Sequence, residues 1–169
     1  MAIIIMGIVL FICVITVALV LMKKFSKNEI MLEVTATSEG KNELDQAIMK
    51  IYFTYSIGKL ASRKRQILGS VEWSDGWMPV SYNLKENGVY REERLLYATK
   101  NQSYSTFEIH APNAIDDQGR GEGYAVLVLE NPDISHRSSR AGVILAVTAN
   151  MTTYQLSDST SWHNEVVIN

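Results

Sequence analysis

Residues 67–88 read ILGSVEWSDGWMPVSYNLKENG, and the fold turns on how this stretch is read. Two short segments, 67–73 and 77–84, have the residue types of strands. Ser74, Asp75 and Gly76 separate them as a turn, and Glu86, Asn87 and Gly88 make the next turn. Proline cannot donate to a sheet ladder, so Pro79 moves the second strand toward a sheet edge. The rings of Trp73, Trp77 and Tyr82 cluster around this one hairpin and are expected in core or inter-sheet packing.

The same rhythm extends in both directions. Downstream, strands are expected at 94–99, 104–110, 123–130, 142–149, 152–156 and 165–168. Tyr124 to Leu129 and Val143 to Val147 are almost continuously apolar and should be central. Upstream, Ile30, Leu32, Val34 and Ala36 alternate with Met31, Glu33, Thr35 and Thr37, a half-buried strand broken at 38–42. Residues 42–64 are ambiguous. Leu44, Ala47, Ile48, Ile51 and Tyr55 fit a helical face. Met49, Ile51, Phe53, Tyr55 and Ile57 alternate with Lys50, Tyr52, Thr54 and Ser56, which favours a strand over about 49–57. Roughly nine short strands with turns between them predict a mainly β domain. An antiparallel sandwich is favoured over a small barrel, with α+β the alternative if 42–64 is helical.

Two connections, 111–122 and 131–141, are longer than usual and are therefore candidate functional loops. The first holds a glycine-rich stretch at 119–123, which lacks the Gly-Lys-Ser/Thr of a phosphate loop and the acidic spacing of a calcium loop. A flexible tip or bulged hairpin is expected there.

Ahead of this domain, residues 2–22 read AIIIMGIVLFICVITVALVLM, without charge or proline. As a helix the run would span about 31 Å, the hydrocarbon thickness of a bilayer. Nothing basic precedes it and no small-residue cleavage site ends it, so an anchor is expected rather than a cleaved signal. The expected organisation is a transmembrane anchor over 1–22, a juxtamembrane link over 23–29 and a β-rich domain over 30–169. Only Met1 precedes the run, whereas Lys23, Lys24 and Lys27 follow it. Positive residues are retained on the cytoplasmic side, so the domain is expected in the cytoplasm, the exported side being the other orientation.

Charge and composition narrow the function classes. All 16 Lys and Arg and all 18 Asp and Glu lie beyond residue 22, a near balance that argues against sequence-specific nucleic-acid binding through bulk charge. The one cysteine, Cys13, lies inside the apolar run, which excludes an intrachain disulfide framework and a cysteine-based zinc site. His110, His136 and His163 are scattered, without the short spacings of metal ligands. Neither Gly-x-Ser-x-Gly nor His-Glu-x-x-His occurs. No catalytic residue, metal site or cofactor is therefore expected, and the chain is read as non-enzymatic.

Two basic groups remain as candidate ligand-binding residues. Arg63, Lys64 and Arg65 form one, with Lys59 nearby. His136, Arg137 and Arg140 form the other, in the second long connection beside Ser138 and Ser139. Guanidinium groups suit bidentate capture of phosphate. The resulting expectation is a membrane-anchored sensor or adaptor that acts at the bilayer as an oligomer. Its cytosolic β domain would bind an anionic ligand, a nucleotide among the candidates, or a protein partner. The alternative is an outward-facing structural or assembly subunit of a cell-envelope complex.

Overall fold

The computed structural model describes residue 15 and residues 30–60, 67–94, 103–130, 138–149 and 152–163. The chain divides into two compact units, 1–30 and 31–169. Of the first, Ile15 is helical and Ile30 opens the first strand; the rest of the expected anchor and its flanking Lys23, Lys24 and Lys27 lie outside the described residues. Among the described residues no helix is long and apolar enough to cross a membrane.

The second unit is a two-sheet antiparallel sandwich. Its strands are β1 (Ile30–Lys41), β2 (Ala47–Ile57), β3 (Ile67–Trp73), β4 (Trp77–Glu86), β5 (Val89–Arg94), β6 (Tyr104–Ile109), β7 (Arg120–Leu129), β8 (Ser138–Ala149) and β9 (Thr152–His163). A 3-10 turn follows β2 at Gly58–Leu60, and a four-residue helix, α1 (Ala111–Ala114), precedes β7. One sheet has the order β1-β2-β7-β4-β5 and the other β6-β3-β8-β9. The sandwich reading holds, and the α+β alternative falls at β2. Ile51, Phe53, Tyr55 and Ile57 are each no more than 2% exposed on one face of that strand, so period two wins over the helical spacing. Asn42 serves a turn instead of a helix: its side-chain oxygen accepts from the Leu44 and Gln46 amides at 3.0 and 2.9 Å.

The core lies between the sheets. Ile51, Phe53, Leu127 and Leu84 face it from the first, and Ile67, Val71, Val143, Leu145 and Val147 from the second. Trp77 and Tyr82 are buried and Trp73 packs against the core, as expected from the sequence. Phe107 of β6 sits between Tyr82, ring centroids 4.9 Å apart, and Phe53, at 5.8 Å. The Trp77 indole donates to the Ser139 hydroxyl at 2.9 Å and meets Trp162 edge-on at 5.4 Å, which links β4 to β8 and β9.

Several local expectations need correction. Residues 120–123 are no flexible tip: they are the first residues of β7, paired with 53–56 of β2. Gly121 lies opposite Tyr55 and Gly123 opposite Phe53. A Cβ on Gly123 would come within 2.6 Å of the Phe53 ring, and one on Gly121 would enter the Tyr55 ring. The glycines are thus the floor on which two core aromatics lie. Pro79 sits in an interior strand, between β7 and β5. The β4–β7 register shifts between Pro79 and Ser81, and the described β5 pairs with β4 only from Ser81 onward. The missing N–H is therefore absorbed by an irregularity.

β5 starts at Val89, immediately after Asn87-Gly88, a strand that the sequence reading missed; of the strand expected at 94–99, residues 95–99 lie outside the described residues. Both turn residues have positive φ, 50° and 83°, as a tight two-residue hairpin requires. β8 starts at Ser138, so Ser138, Ser139 and Arg140 belong to a strand and not to the second long connection. β9 continues to His163, well past Leu156, in unbroken register with β8. The strand expected at 165–168 lies outside the described residues.

Candidate binding face

Of the six candidate ligand residues, Arg140 alone is described. Arg63, Lys64, Arg65, His136 and Arg137 lie outside the described residues. Arg140 is exposed on β8. Its guanidinium donates to the Ser159 hydroxyl at 2.9 Å, and its backbone N–H donates to the Ser74 hydroxyl at 3.1 Å. The Ser74 amide donates back to the Arg140 carbonyl at 2.9 Å. These contacts tie the β3–β4 turn and β9 to β8. Among the described residues no group of three or more His, Cys, Asp or Glu could hold a metal ion.

A different cluster forms on the outer face of the five-stranded sheet. Register brings Tyr52 of β2 opposite Tyr124 of β7, which in turn lies opposite Asn83 of β4. One pair further along, Thr54 faces Glu122, and Lys85 of β4 faces Tyr90 of β5. The tyrosine rings form a continuous row. Tyr52 and Tyr124 have centroids 5.3 Å apart at 46°, and Tyr124 and Tyr90 5.2 Å apart at 58°. Tyr52 and Tyr124 are half-buried and Tyr90 is exposed.

One lysine lies over the central ring of this row and another over the Tyr90 ring. Lys50 Nζ lies 5.2 Å from the Tyr124 centroid and 3.3 Å from Glu39 of β1. Lys85 Nζ lies 5.7 Å from the Tyr90 centroid and 2.5 Å from Glu122, whose same oxygen accepts from the Tyr90 hydroxyl at 3.3 Å. A cation over a ring face is attracted by the ring quadrupole. Partial burial opposes the charge on Lys50, but its hydrogen bond to Glu39 and nearby negative groups outweigh it and raise its pKa. The hydrogen bond and charge of Glu122 raise that of Lys85. Burial, then the charge of Glu122, raise that of the Tyr90 phenol. The face therefore carries two cations, each compensated by its own carboxylate.

This face was only half visible in the sequence. The alternation over 49–57 puts Lys50, Tyr52, Thr54 and Ser56 on one side, and a tyrosine among those polar residues is the available signal. Its meeting with Tyr124 and Tyr90 depends on strand order, because β2, β7 and β5 are far apart along the chain.

No protein-family model matches the chain, and no curated protein matches it. Among solved structures, the chain is similar to the full-length major pilin SpaD of Corynebacterium diphtheriae, with a TM-score of 0.57, 6% identity, and coverage of 79% of this chain and 34% of that one. It is also similar to the C-terminal 35 kDa fragment of the major pilin GBS80 of Streptococcus agalactiae, at 0.50, 10%, 78% and 56%. For the N-terminal domain of the Streptococcus gordonii adhesin Sgo0707 the values are 0.50, 10%, 80% and 32%. The fold is an adhesin- and pilin-like β sandwich. The chain spans only about a third to a half of these proteins' lengths.

These likenesses overturn two expectations, the cytosolic ligand sensor and the cytoplasmic location. The proteins that share the sandwich are pilins and an adhesin, and the outward-facing structural subunit agrees with them better. The flanking charge is physically weak evidence for the cytoplasmic side. Three lysines beside one apolar run are a small bias, and large domains translocate largely regardless of flanking charge.

Proposed function

We propose that the chain displays a non-enzymatic β sandwich on the outer side of the cell membrane, as an adhesive or structural domain, with residues 2–22 as its anchor. One observation carries this reading: the five-plus-four-stranded antiparallel sandwich and its likeness to pilin and adhesin domains. The apolar run and the short segment over 23–29 would hold the domain close to the bilayer. Contacts would then be made by strand faces and edges, not by an enclosed catalytic centre.

The test is accessibility. With a tag after Asn169 and protease added to intact cells, the reading expects loss of the tag without opening the cytoplasmic membrane. Protection until that membrane is opened would refute it. Stable co-purification with envelope proteins would favour a structural subunit over an independently acting adhesive domain.

A further inference from the structure

We infer that the tyrosine row on the outer face of the five-stranded sheet is a docking surface for an uncharged oligosaccharide. The inference rests on the surface reading above and names the class of ligand that this face would take.

Three features of the face point to that occupant. The first is ring presentation. Tyr52, Tyr124 and Tyr90 form a ridge with centroid steps of 5.3 and 5.2 Å. Lys50 lies over one side of the Tyr124 ring and Lys85 over one side of the Tyr90 ring, so a sugar would meet the ring surface they leave open. There the negative end of the aromatic quadrupole attracts the polarised C–H groups on the flat side of a sugar ring. The phenol oxygens at the margin supply donors and acceptors for sugar hydroxyls.

The second feature is charge. Lys50 is matched by Glu39 at 3.3 Å, and Lys85 by Glu122 at 2.5 Å. A polyanion would have to compete with both carboxylates for the lysines, and a polycation with both lysines for the carboxylates. An uncharged chain leaves both pairs intact, so an internally neutral face is complementary to a neutral ligand.

The third feature is preorganisation. Five strands contribute to the cluster, and the Tyr90 hydroxyl is tethered to Glu122 at 3.3 Å while Lys85 lies over the ring. Rings held in place before binding lose little side-chain freedom on contact.

The experiment uses the full chain in liposomes, or in a detergent without sugar headgroups, titrated with cellohexaose, maltohexaose, mannohexaose and chitohexaose. The expected result is binding of at least one hexasaccharide with a Kd below about 1 mM. Tyr90→Ala and Tyr124→Ala should each weaken it by about tenfold or more, whereas Tyr90→Phe, which keeps the ring, should retain most of it. Tyr90 is exposed, so its variants should melt as the parent does, which separates lost binding from lost folding. Affinity should change by less than about twofold between low and moderate salt, because the ligand is uncharged.

Failure to bind any of the four sugars would overturn the inference, as would equal binding by the tyrosine variants or a steep loss with salt. A Tyr90→Ala variant that changes only the sedimentation of the chain would assign the face to contact between copies instead. Because the titration does not depend on orientation in the cell, its failure and failure of the surface reading are separately visible.

Discussion

At the residue scale, the recurring device is a glycine opposite an aromatic. Phe107 lies on Gly69, Phe53 on Gly123 and Tyr55 on Gly121, each pair directly across a ladder. The missing side chain lets the ring lie flat on the neighbouring backbone, so the ring covers what the glycine leaves bare. A Cβ at Gly69 would point into the Phe107 ring itself. Phe107 cannot move aside cheaply, because Phe53 and Tyr82 pack against it from the opposite sheet. Gly69→Ala should therefore destabilise the domain by about 1–3 kcal/mol, the usual cost of overpacking, despite alanine's better backbone entropy. Urea unfolding of the variant against the parent measures this. Pairing is also where sequence legibility ended. Phe53, Tyr55 and Phe107 could be read as strand residues from their alternation. Gly121 reads as a loop residue and Gly123 only as the start of a strand, because the partners that require these glycines are more than sixty residues away in the chain.

At the scale of elements, the strands rich in apolar residues were legible and the polar edge strand was not. β3 was readable at 67–73 and is found there. β9 was readable only to Leu156, since Ser157 to Ser161 offer no apolar alternation. An edge strand needs none: β8 supplies its ladder along the full length. β9 also reaches the other sheet. Asp158 lies opposite Val143 of β8, and its carboxylate accepts the Val34 amide of β1 at 2.8 Å. That bond occupies a backbone donor on an edge strand, one of the ways sheets limit unwanted strand addition. Asp158→Ala should leave Val34 N–H without this acceptor. The expected cost is about 1 kcal/mol, at the lower end for a bond to a carboxylate because the site is only partly buried. Amide exchange at Val34 should accelerate, while exchange at Val143 in the β3–β8 ladder should change little. Equal acceleration at both positions would mean that Asp158 supports the sandwich as a whole and not this edge.

At the scale of the whole molecule, the sandwich form was legible because a two-sheet fold is written in strand count and turn spacing. The tyrosine face was less so, because it depends on how distant segments converge. The domain has no disulfide to hold its sheets together, as Cys13 is the chain's one cysteine and precedes the sandwich. Cohesion must come from the shared core. Phe107 is central to it: a residue of the four-stranded sheet, 5% exposed, wedged between two aromatics of the five-stranded sheet. Removing that ring deletes contacts on both sheets at once and leaves a cavity that Gly69 cannot fill. Phe107→Ala should thus cost about 3–5 kcal/mol, the range for emptying a large aromatic site. If the sheets fold as one cooperative unit, the loss should appear as one transition at lower denaturant with an unchanged slope. Near-ultraviolet circular dichroism of the aromatic layer and far-ultraviolet signal of the strands should then report the same midpoint. Reducing agent should move neither curve. Separate midpoints would show that each sheet holds together alone, and would locate the stability of this domain within its ladders instead of between its layers.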